Sequence, residues 1–168
     1  MKAKLIVEGR EFPIEIHDPE LQKLLTSQKK TGYERVETDI DYYYVDATGF
    51  IKNASEDSDG FDDDVYNTAD YYSDKTVAQN NARADELMRQ LRRFAVEHRE
   101  QEIDWNSEVQ NKFSILYDYS DNEVAVERDN YGRYHGIVYF DSIEIARLAI
   151  ETFHDELIWY FTEYKDSL

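Results

Sequence analysis

The chain of 168 residues has 41% hydrophobic residues, no cysteine and a formal net charge of −18, from 37 acidic and 19 basic side chains. This charge argues against direct binding of DNA or RNA and against docking on an anionic membrane, because both depend on clustered Lys and Arg. The hydrophobic content exceeds that of a disordered chain, and the lack of cysteine excludes disulfides, thiolate zinc sites and cysteine nucleophiles.

The first 30 residues predict a small N-terminal unit, a β-hairpin followed by a short helix, and residues 31–168 predict the main domain. Two runs of β-branched and aromatic residues, 2–8 and 11–16, indicate the strands, with a turn at Gly9-Arg10. Pro13 places the second strand at a sheet edge. The opening residues contain no apolar signal segment, so we expect the protein in the cytoplasm.

Asp18-Pro19 indicates a helix over residues 20–25, because an N-cap residue is followed by proline at the first helical position. The sequence DYYYVD, from Asp41 to Asp46, is rich in aromatic residues and predicts a strand. Thr48-Gly49 turns this strand toward Phe50-Ile51. Residues 65–72 predict a further strand that leads into a central helix.

Residues 53–64, NASEDSDGFDDD, contain six acids and no base, which predicts a solvated loop or a disordered insert. A calcium loop is the alternative, because Gly60 can take the sixth position of an EF-hand loop. The twelfth position would then be Tyr66, where a bidentate Glu is needed, so the pattern favours the solvated loop. Weak calcium binding stays open.

The central helix extends from Tyr71 to Glu100, the longest stretch with a helical pattern and neither Gly nor Pro. Either Ser73 or Asp74 is expected to cap its first turn. Asn81 lies on its apolar stripe, which predicts a hydrogen bond to a neighbouring strand end or, alternatively, a partner contact. The stripe residues recur every three or four positions and are Val77, Ala84, Leu87, Met88, Leu91, Phe94, Ala95 and His98.

After the central helix the sequence predicts a hairpin, a third strand and a second long helix. The final helix is capped by Asp141 or Ser142 and extends to about Tyr164. The three strand segments, in chain order, are 112–119, 123–127 and 136–140.

Three apolar residues of the final helix, Leu148, Ile158 and Trp159, lie outside its main stripe. A helix that is apolar on a second side is either sandwiched inside the fold or exposed for association. We therefore take these residues as candidates for self-association in a homodimer, with a sandwiched helix as the alternative.

The elements together predict an α+β fold, with an antiparallel β-sheet of five to seven strands packed against two long helices. Charge is uneven along it. Residues 34–74 hold thirteen acids and two bases, residues 75–99 hold three acids and six bases, and residues 100–168 hold sixteen acids and five bases. The central helix is thus a basic spine between two acidic lobes. Its arginines are expected to pair with those lobes, or else to form a basic contact patch, and are Arg83, Arg89, Arg92, Arg93 and Arg99.

The candidate partner-binding residues are acids from two segments. The strand region contributes Asp39, Asp41 and Asp46, and the acidic loop contributes Glu56, Asp57, Asp59, Asp62, Asp63 and Asp64. A rigid strand face would imitate a phosphate backbone better than a flexible loop, because the loop loses conformational entropy on binding. No nucleophile, metal or cofactor motif is present, so we expect neither an enzyme nor a cofactor.

Four sequence features follow one another: YYYVDATG, then YYSDKTVAQNNARADELMRQLRRFAVEHRE, then a hairpin, then IVYFDSIEIARLAIETFHDELIWYF. This order resembles a family of small, acidic, uncharacterised proteins encoded by phages and prophages of Gram-positive bacteria. The resemblance covers roughly residues 31–165, and the hairpin sequence MKAKLIVEGREFPIEI is also similar. Because the family's motifs carry no known chemistry, the resemblance implies a phage accessory protein in the host cytoplasm but no catalytic residue.

By analogy with this setting and charge, we expect a non-enzymatic inhibitor of the anti-CRISPR or antirestriction type. It would bind a host defence protein that has a basic nucleic-acid-binding surface, as a DNA mimic, without binding nucleic acid or membrane itself. The alternative is a structural or regulatory phage protein that forms homo-oligomers.

Overall fold

The computed structural model describes residues 2–7, 10–20 and 30–164. These residues form an α+β fold, which confirms the predicted class. The strands are β1 Lys2–Val7, β2 Arg10–Glu15, β3 Asp41–Val45, β4 Ile51–Ser55, β5 Lys112–Asp118 and β6 Glu123–Asp129. The helices are α1 Gly60–Asn67, α2 Lys75–Glu97, α3 Ile143–Thr152 and α4 His154–Thr162.

The strands form three separate antiparallel hairpins, β1–β2, β3–β4 and β5–β6, instead of the single sheet of five to seven strands that the sequence predicted. Residues 65–72, predicted as a strand, complete α1 and a turn, and contribute one bridge from Tyr72 to Tyr43. Residues 136–140, also predicted as a strand, contribute one bridge from Phe140 to Phe113. With single bridges in both places, no strand joins the hairpins in the part of the chain that is described.

The N-terminal hairpin pairs β1 with β2 from Lys2 opposite Glu15 to Val7 opposite Arg10. Arg10 therefore belongs to the strand, and Gly9, the other residue of the predicted turn, lies outside the described residues. Asp18 Oδ1 accepts a hydrogen bond of 2.8 Å from the Glu20 N–H, as expected of a helix cap. The rest of the predicted helix, residues 21–25, lies outside the described residues.

Helix α2 is the longest element, with 23 residues, and forms much as predicted. Asp74 is its N-cap and accepts hydrogen bonds from the N–H groups of Thr76 and Val77. At its C-terminus His98 is the cap, and its Nδ1 lies 3.0 Å from the Phe94 carbonyl oxygen. Five residues of the predicted stripe are buried, namely Ala84, Leu87, Leu91, Phe94 and Ala95. Ala78 is buried beside a half-buried Val77, Met88 is half-buried, and His98 at the end of the stripe is exposed.

Two hydrophobic cores lie along α2. The larger one is built where the second half of α2 meets β5, α3 and α4, and it contains Leu87, Leu91, Phe94, Ala95, Phe113, Phe140, Ile145, Ala146, Ala149 and Leu157. The smaller one lies under the β3–β4 hairpin and consists of Tyr42, Val65 and Tyr71, where the rings of Tyr42 and Tyr71 stack 3.9 Å apart. We call residues 100–164, which contribute to the larger core, the C-terminal lobe. We call residues 30–72, which contain the smaller core, the N-terminal lobe.

Asn81 of α2 connects the two lobes through hydrogen bonds. Its Nδ2 donates to the Tyr33 hydroxyl at 2.8 Å and to the Val77 carbonyl at 2.9 Å, and its Oδ1 accepts from the Tyr164 hydroxyl at 2.9 Å. A hydrogen bond was therefore correctly predicted for this polar residue on an apolar stripe, although its partners are two tyrosines and not a strand end. Satisfying both ends of the amide removes the cost of burying it.

The final helix is interrupted at Phe153, which separates α3 from α4, where the sequence predicted one helix to about Tyr164. The Phe153 ring packs edge-on against Phe94 of α2, with 5.5 Å between centroids. Ser142 caps α3, because its Oγ accepts from the Ile145 N–H at 3.2 Å. Asp141 is buried and instead accepts the N–H groups of Glu100 and Gln101, both at 2.9 Å.

Candidate protein-binding surface

Buried Glu56 anchors the N-terminal lobe, although the sequence suggested that it would lie in a solvated loop. Only 1% of its surface is exposed, and its carboxylate accepts four hydrogen bonds. Arg35 donates two through Nε (3.0 Å) and Nη2 (2.7 Å), the Tyr71 hydroxyl donates a third (2.8 Å) and the Ser58 N–H a fourth (3.0 Å). The Arg35 hydrogen bonds hold the pKa of Glu56 below its usual value, and burial raises the pKa of Tyr71 to about 12.

Asp62 is the second buried acid of this lobe, with 2% of its surface exposed. It accepts a hydrogen bond of 2.7 Å from the Tyr42 hydroxyl and another of 2.7 Å from the Asp57 N–H. Burial by itself would raise the pKa of Asp62, but these hydrogen bonds outweigh burial and lower it. Both predictions of partner contact, for Glu56 and for Asp62, are therefore wrong, because each carboxylate is enclosed and occupied by internal donors.

The predicted solvated loop of residues 53–64 is an ordered structure. It contains the end of β4, a short turn with Ser58 in the left-handed region at φ 57°, and the start of α1. Asp59 and Asp62 form a capping box, in which Asp59 Oδ1 accepts the Asp62 N–H and Asp62 Oδ2 accepts the Asp59 N–H. This reciprocal cap explains why so acidic a segment begins a helix: the carboxylates satisfy the orphan N–H groups and face the positive end of the helix dipole.

The remaining acids of this segment are exposed on a fixed backbone. They are Asp57, Asp59, Asp63 and Asp64. Asp63 pairs with Arg35 Nη1 at 2.7 Å while more than half of its side chain remains exposed. The structure therefore keeps four of the six predicted loop acids at the surface.

Of the three predicted strand acids, Asp39 and Asp41 adjoin the same region. The Asp39 N–H donates to the Glu56 carbonyl oxygen at 2.9 Å, and Asp39 has φ 68°, which turns the chain sharply there. Asp41 lies opposite Ser55 and accepts a hydrogen bond of 3.0 Å from Asn53 Nδ2. We define the acidic face as six exposed acids of one hairpin–helix unit: Asp39, Asp41, Asp57, Asp59, Asp63 and Asp64.

Asp46 is not part of the acidic face, because it lies at the other end of the β3–β4 hairpin. Its Oδ1 accepts from the hydroxyl and N–H of Thr48 and from the Phe50 N–H, and Lys52 lies 3.7 Å away. The Thr48 hydroxyl is the main reason that the pKa of Asp46 is lowered. Asp46 thus holds the hairpin turn, which corrects its prediction as a partner contact.

Apolar side chains are exposed within the same hairpin–helix unit, and sequence reasoning missed them. Ile40, between Asp39 and Asp41, is 51% exposed, and Phe61 at the start of α1 is 49% exposed. The Phe61 ring is supported edge-on by Tyr44, with centroids 5.4 Å apart. Exposed aromatic and aliphatic residues beside charges are typical of protein–protein interfaces.

The arginines of α2 divide into paired and unpaired ones. Arg83 makes a bidentate pair with Glu156, Arg99 pairs with Glu102 at 2.8 Å, and Arg93 lies 3.9 Å from Glu97. For Arg83 and Arg99 the predicted pairing with the acidic lobes is correct, whereas Arg93 pairs within α2 itself. Arg89 and Arg92 have no ion pair with any described residue, and for them the alternative of a basic contact patch stays a prediction.

The predicted self-association residues differ in exposure. Leu148 on α3 is 43% exposed, Ile158 is half-buried, and Trp159 is only 8% exposed. The Arg83 guanidinium covers the Trp159 ring, 3.9 Å from its centroid. Trp159 is therefore packed inside the chain, which corrects its prediction as an association residue and fits the sandwiched alternative.

Comparison of the chain with models of protein families, with curated proteins and with solved structures found no match. The resemblance to phage and prophage proteins therefore stays a prediction. Within residues 2–7, 10–20 and 30–164, no group of three or more His, Asp or Glu side chains is arranged to hold a metal ion. No described helix is both long enough and apolar enough to span a membrane.

Proposed function

We propose that the protein is a phage- or prophage-encoded, non-enzymatic inhibitor that acts in the bacterial cytoplasm. It binds a basic nucleic-acid-binding surface of a host defence protein through the acidic face, in place of the phosphate backbone. The observation that carries this proposal is that six acids are exposed on an ordered hairpin–helix unit, whose two buried acids accept hydrogen bonds from within the chain.

The order of the acidic segment supports the proposal. A flexible acidic loop would lose conformational entropy on binding, whereas these carboxylates are presented by a capped helix and a paired strand. The buried Glu56 network fixes the turn that precedes α1 through the Ser58 N–H. The partner therefore meets a preorganised array of charges.

The exposed apolar residues supply binding affinity, which charge alone does not. Electrostatic attraction speeds association and selects a basic partner, but affinity depends on a few well-packed anchors. Phe61 and Ile40 are suited to that role, because both are about half exposed beside the acids. A nucleic-acid-binding protein has the complementary surface, since its Lys and Arg residues are clustered to receive phosphates.

Two variants with equal charge change test the proposal. The face variant carries Asp39→Asn, Asp41→Asn, Asp57→Asn and Asp64→Asn, and spares the helix cap Asp59 and the ion-paired Asp63. The control variant replaces four exposed acids of the C-terminal lobe, Glu108, Glu123, Glu144 and Glu151, by Gln. Each immobilised protein is incubated with lysate of a Gram-positive bacterium, and the retained proteins are identified by mass spectrometry.

The wild type and the control variant should retain the same nucleic-acid-binding protein, and added DNA or RNA should release it. The face variant should not retain it. Equal retention by the face variant, or retention that nucleic acid does not compete with, contradicts the proposal.

The second candidate function is a structural or regulatory phage protein that self-associates through the final helix. The exposed Leu148 favours this candidate function. Trp159 does not favour it, because the Arg83 guanidinium covers the Trp159 ring. A strict monomer in sedimentation at high protein concentration would remove this candidate.

A further inference from the structure

The outer edge of β5 is open over most of its length. Phe113 donates its N–H to Phe140 at 3.0 Å and accepts the Phe140 N–H at 2.7 Å, so both of its backbone groups point away from β6. In an antiparallel ladder such outward-facing residues alternate with inward-facing ones. Ile115 and Tyr117 therefore also direct N–H and C=O groups outward, and among the described residues no backbone partner meets them.

An apolar cleft of about 360 Å³ lies along this edge. Ile115 and Leu116, which project from opposite faces of β5, both line it, and so do Ile137 and Val138 from the facing segment. Side chains from both faces of a strand contact one cavity only when that cavity lies beside the strand edge. Side chains of α2 and α4 form its floor, namely Leu87, Met88, Leu91, Leu157, Tyr160 and Phe161. The cleft thus lies between the β5 edge and the facing segment, over these two helices.

The gap occupies the place of a missing third strand. Continuing the pairing from Phe113 and Phe140 would set Ile115 opposite Val138 and Leu116 opposite Ile137. The structure shows one bridge only, and Gly136, at the far end of the facing segment, has φ 77°. The sequence GIVYF predicted a strand here because its residues suit β-structure, and the unformed pairing leaves apolar walls and free backbone groups.

We propose that this cleft binds an extended segment of a partner protein, which adds as a strand to β5. Outward N–H and C=O groups supply the backbone hydrogen bonds, and the apolar walls accept every second side chain of the incoming strand. The surrounding C-terminal lobe has fifteen acids and four bases, so a partner segment with basic residues at its ends fits it by charge.

This site goes beyond the proposed function and is independent of it. It contains no residue of the acidic face and lies in the other lobe. The variants that test the two sites are separate, so either proposal can fail alone.

A display library of random nine-residue peptides, selected on the immobilised protein, identifies segments that bind. The enriched peptides should alternate apolar residues and carry Lys or Arg at their ends. Two forms of the best peptide are then compared. One form carries backbone N-methyl groups on the odd-numbered residues, and the other carries them on the even-numbered residues. Because only one set donates to β5, one form should bind at least tenfold more weakly than the other. Equal binding of the two forms contradicts strand addition.

Amide hydrogen exchange locates the contact on the protein. In the free protein the N–H groups of Ile115 and Tyr117 should exchange quickly and that of Leu116, which faces β6, slowly. The bound peptide should slow exchange at Ile115 and Tyr117 and leave Leu116 unchanged. Fast exchange of the first two in the complex would overturn the proposal.

Two substitutions of exposed aliphatic residues provide the matched variants. Ile137→Arg places a charge at the cleft, and Val96→Arg places the same charge on α2 outside the cleft lining, where the wild-type residues are 42% and 64% exposed. The first should reduce peptide binding at least tenfold and the second should not. If no enriched peptide is sensitive to Ile137→Arg, the proposal of a peptide-binding cleft is wrong. It is also wrong if sedimentation shows that only a second copy of this chain binds.

Discussion

Replacing Glu56 by Gln should lower stability more than any change at the acidic face. Gln has one oxygen acceptor where the carboxylate has two, and its NH2 group would meet donors from Arg35 or Ser58. Removing one member of a buried ion pair costs about 3–5 kcal/mol. The Arg35 side chain is 32% exposed and can be hydrated, so the lower end applies, about 3 kcal/mol.

For a chain of this size about 3 kcal/mol corresponds to a fall in melting temperature of about 6–12 °C. Scanning calorimetry of wild type, Glu56→Gln and Asp64→Asn measures it. Asp64 is an exposed acid of the same segment and should change stability by no more than about 0.5 kcal/mol. If the two variants melt at the same temperature, the buried network does not hold the lobe together, and the reasoning about Glu56 is wrong.

Three further predictions concern pH, the contact between α2 and α4, and the connection between the lobes. The pKa values of Glu56 and Asp62 are lowered in the folded state, so the stabilisation by these ionised groups is present above about pH 4 and is lost as pH falls through the folded-state pKa. The difference in melting temperature between wild type and Glu56→Gln should therefore shrink between about pH 5 and about pH 3. A constant difference would contradict this. Arg83→Met removes a half-exposed bidentate ion pair and a cation–π contact at 3.9 Å, so urea unfolding should show a loss of about 1–2 kcal/mol with a red shift of tryptophan fluorescence; unchanged fluorescence would show that the ring is not covered. Asn81→Leu removes the amide that hydrogen-bonds to the hydroxyls of Tyr33 and Tyr164, and should cost about 1–3 kcal/mol in the same assay; a stabilised variant would show that the amide is not needed there.

Long periodic elements and strong turn signals were predictable from the sequence. Helix α2, strand β3 and the β5–β6 hairpin were all predicted, because α2 and β5 have a periodic apolar pattern and β3 is rich in aromatic residues that favour strands. The cap of α2 was narrowed to Ser73 or Asp74, and the structure has Asp74. Residues 65–72 were predicted wrongly as a strand. The helix α1 there has only eight residues, and its start depends on two aspartates that cap each other. The sequence signature of a capping box has Glu or Gln at the third helical position, and this segment has Asp62 there, so its pattern does not indicate a helix start.

The candidate surface was only partly predictable. Glu56 and Asp57 are neighbouring acids, yet one is enclosed by Arg35 and Tyr71 and the other is exposed. Nothing in the acidic composition of the segment separates them, because the distinction comes from a partner 21 residues earlier in the chain. The same holds for Trp159, which is buried by an arginine of another helix.

The most direct test of the central claim is the rate at which the captured host protein associates with the wild type, the face variant and the control variant. The rate is measured at about 50 mM and about 300 mM salt, because exposed charges are screened within about 10 Å at 0.1 M. For wild type and control variant the association rate constant should fall about tenfold between these conditions, as expected of electrostatic steering. The face variant should associate slowly at both salt concentrations. If the face variant associates as fast as the control variant at low salt, the acidic face does not mediate binding and the proposed function is wrong.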